Sequence, residues 1–139
     1  MCAAIAPAAS AIRIGLGVLL LAAIVSRAAG AGGTPPADAE GAVIGFDLCS
    51  IDADGLIGPP DGKRALHYEF CIPRGKGFTA EVGAIDPTAT FFDGAPGRIG
   101  CGPDQVLVIG NTHRPDFALV LQRLADLPYV GRIDQAHFE

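Results

Sequence analysis

The clearest alternation of apolar and polar positions in the chain lies between Leu66 and Pro73. Apolar side chains occupy every second position, and polar or reactive side chains occupy the positions between them. A period of two is typical of a strand with one buried face. Pro73 has no N–H group to donate to a neighbouring strand and is expected to end this one. We therefore predict a strand over Leu66–Ile72, with an apolar face of Leu66, Tyr68, Phe70 and Ile72 and a second face of His67, Glu69 and Cys71.

Composition and spacing predict four more strands and two helices. Runs of apolar, β-branched and aromatic residues mark the strands, which we place at Ala42–Leu48, Thr88–Phe92, Val106–Ile109 and Tyr129–Phe138. The first helix is predicted over Thr79–Ile85, with Thr79 as its N-cap. The second helix carries one apolar stripe at helical spacing, formed by Phe117, Val120, Leu121, Leu124 and Leu127. Thr112 is its expected N-cap, and Pro128 is expected to end it.

The order of these elements indicates the fold class. With the first strand set aside, they follow one another as strand, helix, strand, strand, helix and strand. This order predicts an α+β domain of the ferredoxin-like, split β-α-β class, with an antiparallel four-stranded sheet and two helices on one face. Leu66–Ile72 and Val106–Ile109, the two most apolar strands, then take the central positions. The extra N-terminal strand, Ala42–Leu48, is expected to cover an edge of the sheet.

The N-terminal residues have the composition of a secretory signal peptide. Arg13 precedes a 12-residue apolar run, Ile14–Val25, which is too short to span a bilayer and is followed by small residues. We predict cleavage after Ala31, with an uncleaved N-terminal anchor as the alternative. Residues 1–31 are then the signal peptide, 32–41 a flexible leader and 42–139 a single domain. The protein is expected to be secreted or periplasmic, with no membrane association after cleavage.

The charge of the chain bears on its partners. The whole chain has a formal net charge of −5, and its first 31 residues hold two of the ten basic residues and none of the fifteen acidic ones. The remainder therefore carries a net charge of −7. An acidic domain without a basic stripe is unsuited to binding nucleic acid or an anionic membrane surface.

Three cysteines remain once Cys2 leaves with the signal peptide. In the proposed sheet Cys71 ends one central strand, and Cys101 just precedes the strand beside it. Their Cα atoms are then close enough for a disulfide, which an oxidising compartment allows. We therefore predict a Cys71–Cys101 bridge and a free thiol at Cys49.

The same topology brings all three histidines of the chain to one end of the sheet. His67 begins a central strand, His113 follows the end of its neighbour, and His137 lies near the end of the last strand. His113 is also placed in the first turn of the second helix, where the helix dipole favours a neutral ring. Three neutral imidazoles with an open fourth position suit Zn²⁺ or Cu²⁺. Glu69 and Glu139 are the candidate outer-shell partners.

Glu69 has two interpretations, since an ionised group inside a central strand is costly unless it is paired or hydrated. In the first, the face opposite the helices is partly wet and Glu69 points to water. In the second, Glu69 supports a site together with His67. The favoured function is a non-enzymatic exported binding domain that engages a ligand, a metal ion or a protein partner through its open sheet face or sheet end.

Two alternative functions remain open from the sequence. The segment Arg123–Asp134 resembles the helix-then-strand ending of subtilisin-propeptide-type inhibitors over about twelve residues. This resemblance implies an inhibitor or chaperone-like domain that docks its C-terminal edge strand on a protease. The second alternative is a small enzyme that uses a histidine or a cysteine. The sequence has no Gly-x-Ser-x-Gly element after residue 31, which argues against a serine hydrolase.

Overall fold

The computed structural model describes residues 41–138, so the predicted signal peptide, most of the leader and Glu139 lie outside the described part. The strands are β1 (Val43–Ile44), β2 (Leu56–Ile57), β3 (Arg64–Ala65), β4 (His67–Pro73), β5 (Thr90–Asp93), β6 (Gln105–Asn111) and β7 (Arg132–Gln135). The helices are α1 (Lys76–Ile85) and α2 (Phe117–Ala125), and a short 3₁₀ turn covers Leu48–Ser50. No helix within residues 41–138 is long and apolar enough to cross a membrane.

Five strands form the main sheet in the order β1-β7-β4-β6-β5, and β2 pairs with β3 in a separate small sheet. All neighbours in the main sheet are antiparallel except β1 and β7. The predicted α+β class with a mainly antiparallel sheet is therefore confirmed. The longest pairing joins β4 to β6 over seven residues, from His67 opposite Asn111 to Pro73 opposite Gln105. The extra N-terminal strand does cover an edge, although only Val43 and Ile44 pair with β7.

The alternation in β4 separates two environments, as the sequence predicts. Leu66, Tyr68, Phe70 and Ile72 are each at most 3% exposed and lie in one core. The paired strand β6 adds Val106 and Val108 to that core, and helix residues complete it, among them Val82, Val120, Leu121 and Leu124. Burial of these aliphatic and aromatic side chains contributes about 25 cal/mol for each Å² of apolar surface removed from water.

Both helices begin at residues other than the predicted caps. α1 begins at Lys76, three residues before Thr79, and Gly75 caps it without a side-chain hydrogen bond. α2 begins at Phe117 after Asp116 rather than after Thr112. The predicted start points are wrong. Gly75 has no side chain to cap α1, and the Asp116 carboxylate pairs with Arg114 instead of capping α2.

The Thr112 hydroxyl has a different role from the predicted capping. It is fully buried, accepts a hydrogen bond from the Leu66 N–H at 3.1 Å and donates one to the Gly55 carbonyl oxygen at 2.6 Å. Gly55 has a φ of 79°, and a Cβ there would overlap the Thr112 carbonyl oxygen. This contact ties the β2–β3 hairpin to the sheet.

The second face of the sheet is covered by the segment between β5 and β6. Cys71 and Cys101 form the predicted disulfide, with their Cα atoms 5.5 Å apart. The expectation of a free thiol at Cys49 is wrong, because Cys49 is disulfide-bonded in the structure. The Cys71–Cys101 bridge holds the β5–β6 segment against β4, so this sheet face is not the open surface expected from the sequence.

Replacing Cys101 with serine is expected to lower the free energy of unfolding by about 3 to 4 kcal/mol, because the bridge spans a sequence separation of 30 residues. Urea unfolding followed by circular dichroism measures this change. Thr90→Ser, at an exposed position on β5, is the control and should shift the value by no more than about 0.5 kcal/mol. A loss below about 1 kcal/mol for Cys101→Ser would show that the bridge contributes little.

Candidate functional site: a cleft at one end of the sheet

The three histidines lie at the same end of the sheet. His67 is paired with Asn111, and the N–H of His113 donates to the side-chain oxygen of Asn111 at 3.1 Å. The N–H of Ala136 donates to the carbonyl oxygen of His67 at 2.8 Å, which brings His137 to the same edge. His113 precedes α2 rather than lying in its first turn, so the expected influence of the helix dipole on its ring is wrong.

Proximity at a sheet end does not assemble a metal site. Within residues 41–138, no group of three or more histidine, cysteine or acidic side chains is placed to hold a metal ion. The arrangement therefore gives no support to the predicted Zn²⁺ or Cu²⁺ site of His67, His113 and His137, which stays a prediction. Glu139, one of the predicted outer-shell partners, lies outside the described residues.

Two of these histidines instead line a cleft of about 390 Å³ at this end of the sheet. The cleft lies between the β2–β3 hairpin, the start of β4 and the segment that follows β7. Its lining residues are Ile57, Arg64, Ala65, Leu66, His67, Gln135, Ala136, His137 and Phe138. We call it the sheet-end cleft. Its volume is within the range of about 300 to 1,000 Å³ that is usual for small-molecule pockets.

One wall of the sheet-end cleft is aromatic. The rings of His67 and Phe138 meet edge to face, with centroids 5.0 Å apart and an interplanar angle of 87°. Phe138 is nevertheless 67% exposed, so most of its ring surface faces solvent. Edge-to-face ring pairs add about 0.5 to 1.5 kcal/mol beyond simple burial. This contact holds the segment after β7 against the sheet while leaving apolar surface available to a ligand.

The polar groups of the cleft are donors rather than reactive groups. Arg64 supplies a guanidinium, and His67, His137 and Gln135 supply ring and amide N–H groups. None of the described lining residues is an aspartate, glutamate, serine, threonine or cysteine. Among its described residues the cleft therefore has no hydroxyl, thiol or carboxylate nucleophile and no carboxylate to orient an imidazole as a base. Its chemistry suits binding of an anionic, partly apolar molecule.

Glu69 takes no part in this cleft. It is only 4% exposed, and its Oε1 accepts a hydrogen bond from the Ile99 N–H at 2.8 Å. Gly97 packs beside it, since a Cβ there would lie 3.0 Å from Glu69 Oε2. The interpretation that Glu69 points to water is wrong, because the β5–β6 segment covers it. The carboxylate holds that segment in place beside the disulfide.

A second polar cluster, absent from the predictions above, lies inside the core. The Tyr68 hydroxyl donates to Asp86 Oδ2 at 2.7 Å, and both residues are at most 1% exposed. Asp86 Oδ1 accepts from the Thr88 N–H at 2.9 Å and from the Thr88 hydroxyl at 2.7 Å. Arg114 Nη1 lies 4.0 Å from the same oxygen. The signal in the sequence is Asp-Pro-Thr after a helix, the composition of a turn closed by an aspartate side chain.

This buried cluster depends on the absence of a side chain at Gly110. A Cβ there would lie 2.7 Å from the Tyr68 ring and would overlap Asp86 Oδ2. Burial first, and then the charge of Asp86, raise the pKa of Tyr68 well above its ordinary value. The buried side-chain polar atoms of residues 41–138 all have hydrogen-bond partners, so the cluster is a satisfied structural element.

Comparison with known proteins adds no relative. No protein-family model matches the chain, and no curated protein or solved structure matches it. Function is therefore inferred from the geometry of residues 41–138.

Tyr68→Phe is expected to change both the stability and its dependence on pH. At neutral pH it should cost about 1 to 3 kcal/mol, because Asp86 Oδ2 loses its buried donor. Above about pH 10 the unfolded phenol ionises while the native one stays protonated, so the parent loses about 1.4 kcal/mol per pH unit through Tyr68. Tyr68→Phe should lack this part of the alkaline decline.

Urea unfolding between about pH 7 and pH 11 measures both effects. Tyr129→Phe is the matched control, since the Tyr129 hydroxyl donates to the exposed Glu81 carboxylate rather than to a buried one. Tyr129→Phe should retain the loss of stability at alkaline pH that arises from Tyr68. It should lose only the contribution of Tyr129, whose pKa burial and Glu81 also raise. Equal alkaline slopes in the parent and Tyr68→Phe would contradict the assignment.

Proposed function

We propose that the chain is a small, exported, non-enzymatic binding domain that takes a ligand with an anionic group and an apolar body in the sheet-end cleft. This proposal rests on one observation. The same cleft contains the Arg64 guanidinium and an exposed aromatic wall formed by Phe138 against His67. An aromatic or aliphatic carboxylate has the matching chemistry. Its body packs on the rings and its carboxylate accepts hydrogen bonds from Arg64.

The charges around the cleft support an anionic ligand. Arg64 is exposed, and it is absent from the ion pairs formed among residues 41–138. The neighbouring cation Lys63 already pairs with Asp52 at 2.6 Å. A guanidinium can hold a carboxylate through two parallel N–H donors. Arg64 therefore provides a local cation in a domain that is acidic overall.

The proposal includes export and a fold class. Export is supported by the signal-like composition of residues 1–31 and by the Cys71–Cys101 disulfide, which is compatible with an oxidising compartment. The ferredoxin-like class is supported by the order β7-β4-β6-β5, by the antiparallel pairing of those strands and by the positions of α1 and α2 between them along the chain. This class hosts many functions and implies none by itself.

The alternative functions have less support. Docking of the last strand on a protease requires a free strand edge, but β1 pairs with β7 at Arg132 and Ile133. An enzyme based on Cys71 or Cys101 requires a thiolate, and these two cysteines are joined in a disulfide. The sheet-end cleft offers imidazoles without a nucleophile or an orienting carboxylate among its described residues.

The test is a titration of the isotopically labelled full chain with phenylpropionate, followed by amide chemical shifts. We expect saturable shifts at residues 64–67 and 135–138, with a Kd below about 1 mM, or about −4 kcal/mol. The neutral phenylpropionamide and the smaller propionate should each bind at least about 10-fold more weakly, because each lacks one half of the recognised chemistry.

Matched variants assign the binding to the cleft. Arg64→Met keeps the length of the side chain and removes its charge, so it should weaken phenylpropionate binding about 10-fold. Arg132→Met, at an exposed arginine paired with Asp134, and Leu119→Ala, at an exposed apolar position on α2, should leave the Kd unchanged. No saturable shift up to about 10 mM, or equal binding of acid and amide, would refute the proposal.

A further inference from the structure

The strand β5 is an edge strand of the main sheet. One of its edges pairs with β6, from Thr90 opposite Ile109 to Asp93 opposite Val106. Its other edge has no strand partner within residues 41–138. Such an edge presents backbone N–H and C=O groups that an extended chain can pair with. Phe92, on this strand, is 41% exposed.

A groove of about 340 Å³ lies between β5 and the start of α1. The sheet supplies its base with Phe91, Asp93 and Val106. The opposite wall consists of Arg74, Gly75, Lys76 and Thr79. We call it the β5 groove. Alternate side chains of a strand added to β5 point to the face of the sheet that α1 covers, and they would enter this groove.

The β5 groove contains two cations, which favour a bound strand with negatively charged side chains. Arg74 Nη2 pairs with Asp93 at 2.8 Å and its Nε donates to the Pro103 carbonyl oxygen, which leaves other guanidinium N–H groups for a further acceptor. Lys76 is exposed and absent from the ion pairs formed among residues 41–138. With one carboxylate against two cations, the groove complements an acidic segment and repels a basic one.

We propose that the open edge of β5 and the adjoining groove bind an extended acidic peptide segment, which pairs its backbone with β5 and places a carboxylate at Arg74 and Lys76. The backbone pairing supplies affinity with little dependence on sequence. The groove supplies selectivity, because only every second side chain enters it. This surface is separate from the sheet-end cleft, since none of the residues lining one lines the other.

The experiment uses an acetylated and amidated peptide in which valine alternates with glutamate over six positions. Its binding to the isotopically labelled full chain is followed by amide shifts and by amide hydrogen exchange. We expect saturable shifts at residues 74–79 and 90–93, with slower exchange of β5 amides in the complex. Two control peptides, one with lysine in place of glutamate and one with a central proline that blocks strand pairing, should not bind at the same concentrations.

Substitutions in the protein assign the peptide to the β5 groove. Lys76→Glu should weaken binding of the acidic peptide about 10-fold, because an attraction becomes a repulsion. Arg64→Met, in the sheet-end cleft, should leave it unchanged. Three results would overturn the proposal: no saturable binding up to about 1 mM, equal binding of the proline peptide, or shifts confined to the sheet-end cleft. Sedimentation showing a dimer that protects β5 without peptide would assign the edge to a second copy of the chain and also overturn it.

Discussion

The strand β4 is packed on both faces, and most of the structure depends on the contacts that its two faces make. Its even-numbered residues enter the core beneath α1 and α2. Three residues on the other face hold two further segments of the chain. His67 contacts the Phe138 ring, whereas Glu69 and Cys71 both hold the β5–β6 segment, through the Ile99 N–H and the disulfide to Cys101. The polar face of this strand therefore contacts other segments of the same chain instead of water.

Local periodicity explains which parts of the fold are readable from the sequence. The alternation in β4 and the apolar stripe of α2 each depend on one element, and the Cys71–Cys101 bridge follows once β4 and β6 are paired. The burial of Glu69 depends on where a loop about thirty residues away comes to rest, which no local pattern encodes. The same holds for Thr112, whose hydroxyl joins β4 to a distant hairpin.

The sequence predicts that two histidines of the candidate site lie at one end of the sheet, but it does not predict the other residues of the site. Strand direction alone places His67 and His137 at one sheet end, because this placement depends only on topology. Ligand geometry needs distances accurate to a few tenths of an ångström, which strand order cannot supply. Arg64 was not identified because β3 has only two residues, too few to show a period. Phe138 was expected inside a strand, yet β7 ends at Gln135 and frees the ring to meet His67.

Gly110, a buried residue on β6, brings together three positions that are far apart along the chain. Gly110, Tyr68 and Asp86 compete for one small volume, and the hydroxyl–carboxylate contact exists because the glycine leaves that volume to them. A larger residue at position 110 fits only if Tyr68 or Asp86 is replaced by a smaller residue. If position 110 then returns to glycine while the smaller residue stays, a cavity remains in the core. Viable routes of sequence divergence through this core therefore require coupled substitutions, because each single step passes through a clash or a cavity.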